Sequence, residues 1–143
     1  MTREEFELIV AEEFPNAIPE KFRDKIKNVA FLVEGDPSPA VRAVEELDPN
    51  ETLLGYYRGI PHTARGGYYG VGGTMPDTIT LYQNPIEREA GHLEHTHILK
   101  DVSMSYEEAV RKAIRDTIWH EVAHHFGMDE GAVRAREKKR RNS

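Results

Sequence analysis

The stretch with the most chemistry in it is HEVAHHFGMDE, residues 120–130. His120 and His124 stand four residues apart, so on a helix their imidazoles leave the same face and can converge on one cation. Neutral imidazole nitrogens suit a zinc ion, which leaves room for a further protein ligand and a water. Glu121 falls within the same arc of about 100° and can reach that water without ligating. A carboxylate there takes the water's proton as it attacks a carbonyl and can return it to a leaving amine. In the extended pattern HExxHxxGxxH, a glycine bends the chain and the residue ten after the first His returns to the metal. Gly127 fills the glycine position and Glu130 the tenth. Carboxylate oxygen is an acceptable zinc ligand, so Glu130 is the expected third ligand. Its neighbour Asp129 is the alternative, unless it N-caps a following helix. The competing reading makes His120 and His124 ordinary histidines on the edge of an amphipathic helix.

Other residues that could do chemistry are more dispersed. An extended peptide substrate would pair with an exposed strand edge. ITLYQ (79–83) is the candidate edge, its weak alternation placing Thr78, Thr80 and Tyr82 on one face. Tyr68 and Tyr69 sit in RGGYYGVGGTMPD, where five glycines within 66–73 deny regular structure. A loop of that kind can swing a phenol toward a developing oxyanion. It matches neither GxGxxG nor GxxxxGK[ST], so no phosphate cradle is expected. His92, His95 and His97 are spaced by three and two and share no single helix face, which favours a solvated helix end. His125 lies about 100° round the helix from His124 and is expected to miss the metal and pack behind it.

The elements that must position these groups can be read from capping and periodicity. Thr2 and Glu5 make a capping box, followed by Phe6, Ile9, Val10 and Phe14 at helical spacing. A short helix is predicted from Pro19 to Ile26, a strand over 28–34, a helix over 39–46 capped by Ser38, and strands over 52–59 and 79–83. Residues 85–101 are predicted to be helical in part. Ser105 and Glu108 form a second capping box that opens a long helix from Tyr106 to Phe126. Val110, Ala113, Ile114, Thr117 and Ile118 form its apolar face, while Trp119 and Phe126 point roughly the other way. Gly127 stands where a left-handed cap should end that helix.

A length of 143 residues suits a single domain over 1–143 with one core. The net charge of −6 argues against general nucleic-acid binding. Only residues 133–143 are basic, with six Arg/Lys against one Glu, leaving −11 on the remainder. That tail suits the negative end of a last helix or a frayed terminus. With no cysteine, disulfides and thiolate zinc sites are excluded. The acidic start, MTREEFELIVAEEF, is unlike a signal peptide, and no stretch has the length of a membrane span. The default expectation is a cytoplasmic protein with no membrane partner.

HEVAHHFGMDE, together with LLGYYRGIP and PDTITLYQNPIERE (76–89), resembles the small bacterial zincin-like metallopeptidases, which are similar to a minimal metzincin or matrix-metalloprotease core. The resemblance runs from the TREEFE helix to the terminal motif. It implies an α+β, zincin-like fold, in which a small mixed twisted sheet packs with helices that include the HExxH helix. It further implies one zinc ion on His120, His124 and an acidic third ligand after Gly127, with Glu121 as general base and a peptide or protein as substrate. The chain departs from true metzincins in one respect. Met128 lies inside the motif, and no methionine follows it to form a Met-turn.

Two rival functions stay in view. One is a hydrolase of another bond, such as RNA; small zinc endoribonucleases resemble HxxxHxxxxxH, which fits at His120 and His124 but fails at Glu130. The other is a binding or regulatory protein whose metal merely pins the last helix, with His125 or Asp129 as a fourth ligand.

Overall fold

A computed structural model of the chain describes residues 1–24, 26, 28–59, 75–100 and 103–127. The order of elements is α1 (Arg3–Ala17), α2 (Glu20–Arg23), β1 (Val29–Glu34), α3 (Pro39–Val44), β2 (Gly55–Arg58), β3 (Asp77–Tyr82), α4 (Gln83–Leu99) and α5 (Tyr106–His125). The architecture is α+β, a three-stranded mixed sheet among the described residues with helices packed on it.

Local chemistry sets the helix ends. The hydroxyls of Thr2, Ser38 and Ser105 accept from the backbone N–H of Glu5, Val41 and Glu108, giving each helix one of its missing first-turn acceptors. Pro15 lies in the last turn of α1, where it cannot donate to the helix, and the chain leaves two residues later. The Arg23 guanidinium then donates to the carbonyls of Pro15 and Ile18, at 3.0 and 3.2 Å, closing that end. Gly127 follows α5 with φ of 65°, the left-handed value expected of it. The predicted 19–26 helix shortens to one turn, and the 39–46 helix ends at Val44. Residues 83–99 are helical throughout, rather than in part, with Pro85 in the tolerant first turn.

The sheet order is β1-β3-β2. β3 runs parallel to β1 and antiparallel to β2. ITLYQ is therefore central, not an edge, which corrects the expectation drawn from its alternation. Alternation reports which face of a strand is covered, not how many neighbours it has. Ile79 and Leu81 are fully buried against the helices, while Thr78 and Thr80 on the other face are half-buried. With partners on both sides, the backbone at Thr80 cannot add a substrate strand, and Tyr82, 1% exposed, offers a substrate no surface.

α5 is the spine of the core. Val110, Ile114, Ile118 and Val122 meet Phe6, Ile9 and Val10 of α1, Ile79 and Leu81 of β3, and Ile86 and Ala90 of α4 in one cluster. A buried leucine-sized side chain contributes about 1.5–3 kcal/mol, so this face fixes α5 against three elements at once. Trp119 points away from it and packs on Phe22 of α2, with ring centroids 5.4 Å apart. α1 and α5 are further joined by Glu13, which accepts from Arg111 at 3.0 Å and Arg115 at 2.6 Å. No helix among the described residues is long and apolar enough to cross a membrane.

Candidate functional site

His120, Glu121 and His124 lie on the last two turns of α5, where the helix passes under β2. The two imidazoles are exposed and face each other across one turn, with ring centroids 4.3 Å apart. That separation and the donor chemistry fit two nitrogen ligands of one ion. Among the described residues, no group of three or more His, Asp or Glu converges as a complete metal site. The sequence candidates for a third ligand, Glu130 and Asp129, lie outside the described residues, as do Tyr68 and Tyr69 and the basic tail.

Glu121 is only partly open to solvent. Burial lifts its carboxyl to about 7, helped by the Glu45 carboxylate and opposed by the charge of His120 and a hydrogen bond from the Tyr57 backbone N–H. The pairing of β2 explains why that N–H is available. Leu54 O accepts from Tyr82 N, so the backbone groups of 54, 56 and 58 face β3. Those of Gly55 and Tyr57 face the outer side of β2, and Glu121 meets the strand there.

Close approach of β2 to α5 depends on Gly55. A Cβ at this position would stand 2.7 Å from Thr117 Cγ2, 3.2 Å from Thr80 O and 3.5 Å from Glu121 Cγ. Gly59 is similarly tight, its would-be Cβ 2.7 Å from His125 Cε1. His125 turns away from His124, as its position round the helix demands. Its ring stacks on Tyr57 at 3.8 Å and 18°, and its Nε2 lies 3.7 Å from Asp77 Oδ2. The Tyr57 hydroxyl donates to the same oxygen at 2.6 Å.

Two clefts open beside Glu121. One, of about 320 Å³, is lined by Leu53, Leu54, Leu93, Thr117 and His120. The other, of about 220 Å³, is lined by Glu45, Tyr56, Tyr57, His124 and His125. Glu121 borders both. On α4, His92 and His95 are exposed, and His97 Nδ1 bonds the carbonyl of Leu93 at 2.7 Å within its own helix.

Sequence reasoning missed Tyr57, Asp77, Gly55 and the leucines of the larger cleft. The pair of glycines bracketing the YYR strand was the available signal, since glycine in a strand marks a close approach of backbone to another element.

The family model for zincin-like metallopeptidases matches residues 26–140. That span takes in every strand, the α4–α5 pair and the HEVAH motif, and the chain belongs to this family. A search of curated proteins gave no match.

Proposed function

We propose that the protein is a zinc-dependent metallopeptidase that hydrolyses a peptide bond, with Glu121 as its general base. The observation that carries this reading is the placement of Glu121, half-buried beside two exposed imidazoles and shared by two clefts. His120, His124 and Glu130, with Asp129 as the alternative third ligand, would hold the ion. Zinc in such a site supplies Lewis acidity, polarising the scissile carbonyl and acidifying a coordinated water.

The remaining work falls to this chain's own groups. A carboxylate has about four lone-pair positions, so the hydrogen bond from Tyr57 leaves Glu121 free to accept the proton of an attacking water. The same oxygen then delivers that proton to the nitrogen of the departing amine. A base that must both take and give a proton near neutrality works best with a pKa near the working pH, and partial burial moves Glu121 in that direction. β2, an outer strand among the described residues, takes over the substrate-pairing role that the sequence assigned to ITLYQ. Gly55, and the carbonyl of Tyr57, direct backbone groups to its outer side for an extended peptide to meet. The leucine-lined cleft then receives a side chain flanking the scissile bond.

Glu121→Ala tests the assignment. The variant is expected to bind zinc like the wild type and to lose cleavage of a mixed peptide library by roughly 10²–10⁴-fold. A wild-type protein that binds zinc and cleaves nothing, with Glu121→Ala changing thermal stability alone, would establish a structural metal instead.

A further inference from the structure

We infer that Tyr57 is a positioning residue for Glu121: its backbone N–H aims the carboxylate, and its side chain, locked by Asp77 and His125, fixes that N–H in place. The inference rests on the reading of Glu121 as general base and adds a residue that the HExxH pattern does not contain.

Four contacts meet at Tyr57. Its N–H faces the outer side of β2, where a strand neighbour would otherwise take it, and the Glu121 carboxylate takes it instead. Its hydroxyl donates to Asp77 Oδ2 at 2.6 Å. Asp77 is 6% exposed and opens the central strand, so this acceptor is anchored in the sheet. Its ring stacks on His125 at 3.8 Å, and Phe126 meets it edge-on at 6.2 Å. A Cβ at Gly59 would stand 2.7 Å from His125 Cε1.

The consequence is mechanical. Glu121 is on α5, and the group that orients it is on β2, so its aim is only as good as the register between those two elements. The core face of α5 contributes apolar packing, which is not directional. The stack on His125, one turn from Glu121, and the Tyr57–Asp77 hydrogen bond, which ties the phenol to β3, are both directional. A misplacement of about 1 Å in a reacting group can cost on the order of 10²-fold in rate, so a clamp here bears on turnover rather than on folding or metal affinity.

The test uses the full chain with zinc added and two variants. Tyr57→Phe removes the bond to Asp77 and keeps the stack; Tyr57→Leu removes both. The expected result is a fall in kcat of about tenfold or more for Tyr57→Leu and a smaller fall for Tyr57→Phe. KM and zinc affinity should stay within about twofold of wild type. In parallel, ¹⁵N spectra of Glu121→Gln should move the Tyr57 amide more than the other β2 amides, and Tyr57→Leu should speed hydrogen exchange at residue 57. An unchanged or raised kcat in Tyr57→Leu overturns the inference, as does a loss matched by an equal loss of zinc affinity. If the wild type cleaves no peptide, the peptidase reading fails, and the amide measurements alone decide whether Tyr57 orients Glu121. A Tyr57 amide indifferent to Glu121→Gln then sinks the inference as well.

Discussion

Gly55→Ala should destabilise the protein through a single methyl group, and the size of the effect can be worked from the contacts around it. The new Cβ would lie 2.7 Å from Thr117 Cγ2 and 3.2 Å from Thr80 O. Neither neighbour yields easily. Thr80 O is backbone in the central strand, and the Thr117 side chain is held by its hydroxyl donating to Ala113 O at 2.7 Å. Rotating the methyl away would break that bond, so β2 must lift from α5. Overpacking of this kind costs about 1–3 kcal/mol, offset by about 0.4–1 kcal/mol from the stiffer unfolded chain. The net loss is about 1–2 kcal/mol. Unfolding entropy of about 2.1 cal/mol/K per residue gives roughly 0.3 kcal/mol/K for this chain, so Tm should fall by about 3–7 °C. Calorimetry at neutral pH reads this directly. The double variant with Thr117→Ser lacks the clashing methyl but keeps the hydroxyl. It should show a favourable coupling of about 1 kcal/mol in a double-mutant cycle. Additive effects, or a Gly55→Ala protein as stable as wild type, would refute the tight approach of β2 to α5.

Three further outcomes are expected. Burial alone would raise the pKa of Glu13, but the hydrogen bonds and charges of Arg115 and Arg111 outweigh it and hold the carboxyl below 4.5; its stabilising contribution is therefore present above that pH and is lost as pH falls through the lowered value. Glu13→Gln should cost about 2 kcal/mol at pH 7, with the gap to wild type closing in acid melts. Ser105→Ala removes the N-cap of α5 and should cost about 1 kcal/mol by denaturant titration. His124→Ala should abolish the rise in Tm that added zinc gives the wild type, since an ion that binds only the folded state stabilises by mass action.

What the sequence disclosed followed the range of the interactions involved. The caps at Thr2, Ser38 and Ser105 and the left-handed Gly127 are set within four residues, and each is found where the sequence places it. The apolar face of α5 was legible for the same reason, being a matter of helical pitch. The place of β3 was not. Whether ITLYQ has one neighbour or two depends on β1, which lies nearly fifty residues earlier, and on β2, and no local pattern encodes that count. The link from Tyr57 to Asp77 and His125 was hidden for a similar cause. It joins three elements through one phenol, and a tyrosine in a strand is otherwise unremarkable. The spacing of His120, Glu121 and His124 follows from helical pitch, whereas the surfaces around them required the fold.

The sheet order has a kinetic consequence. Among the described residues, the strand that joins β1 to β2 is the last of the three to be synthesised, so a nascent chain ending before residue 77 lacks the partner that links the other two. Closing the loop from β1 to β3 must precede any parallel pairing, and such long-range closures slow folding. Because α4 starts at Gln83, directly after β3, and leads into α5, the ladder and the helical hairpin should form together, late and cooperatively. Until then the clefts beside Glu121, which β2 helps to line, are not assembled.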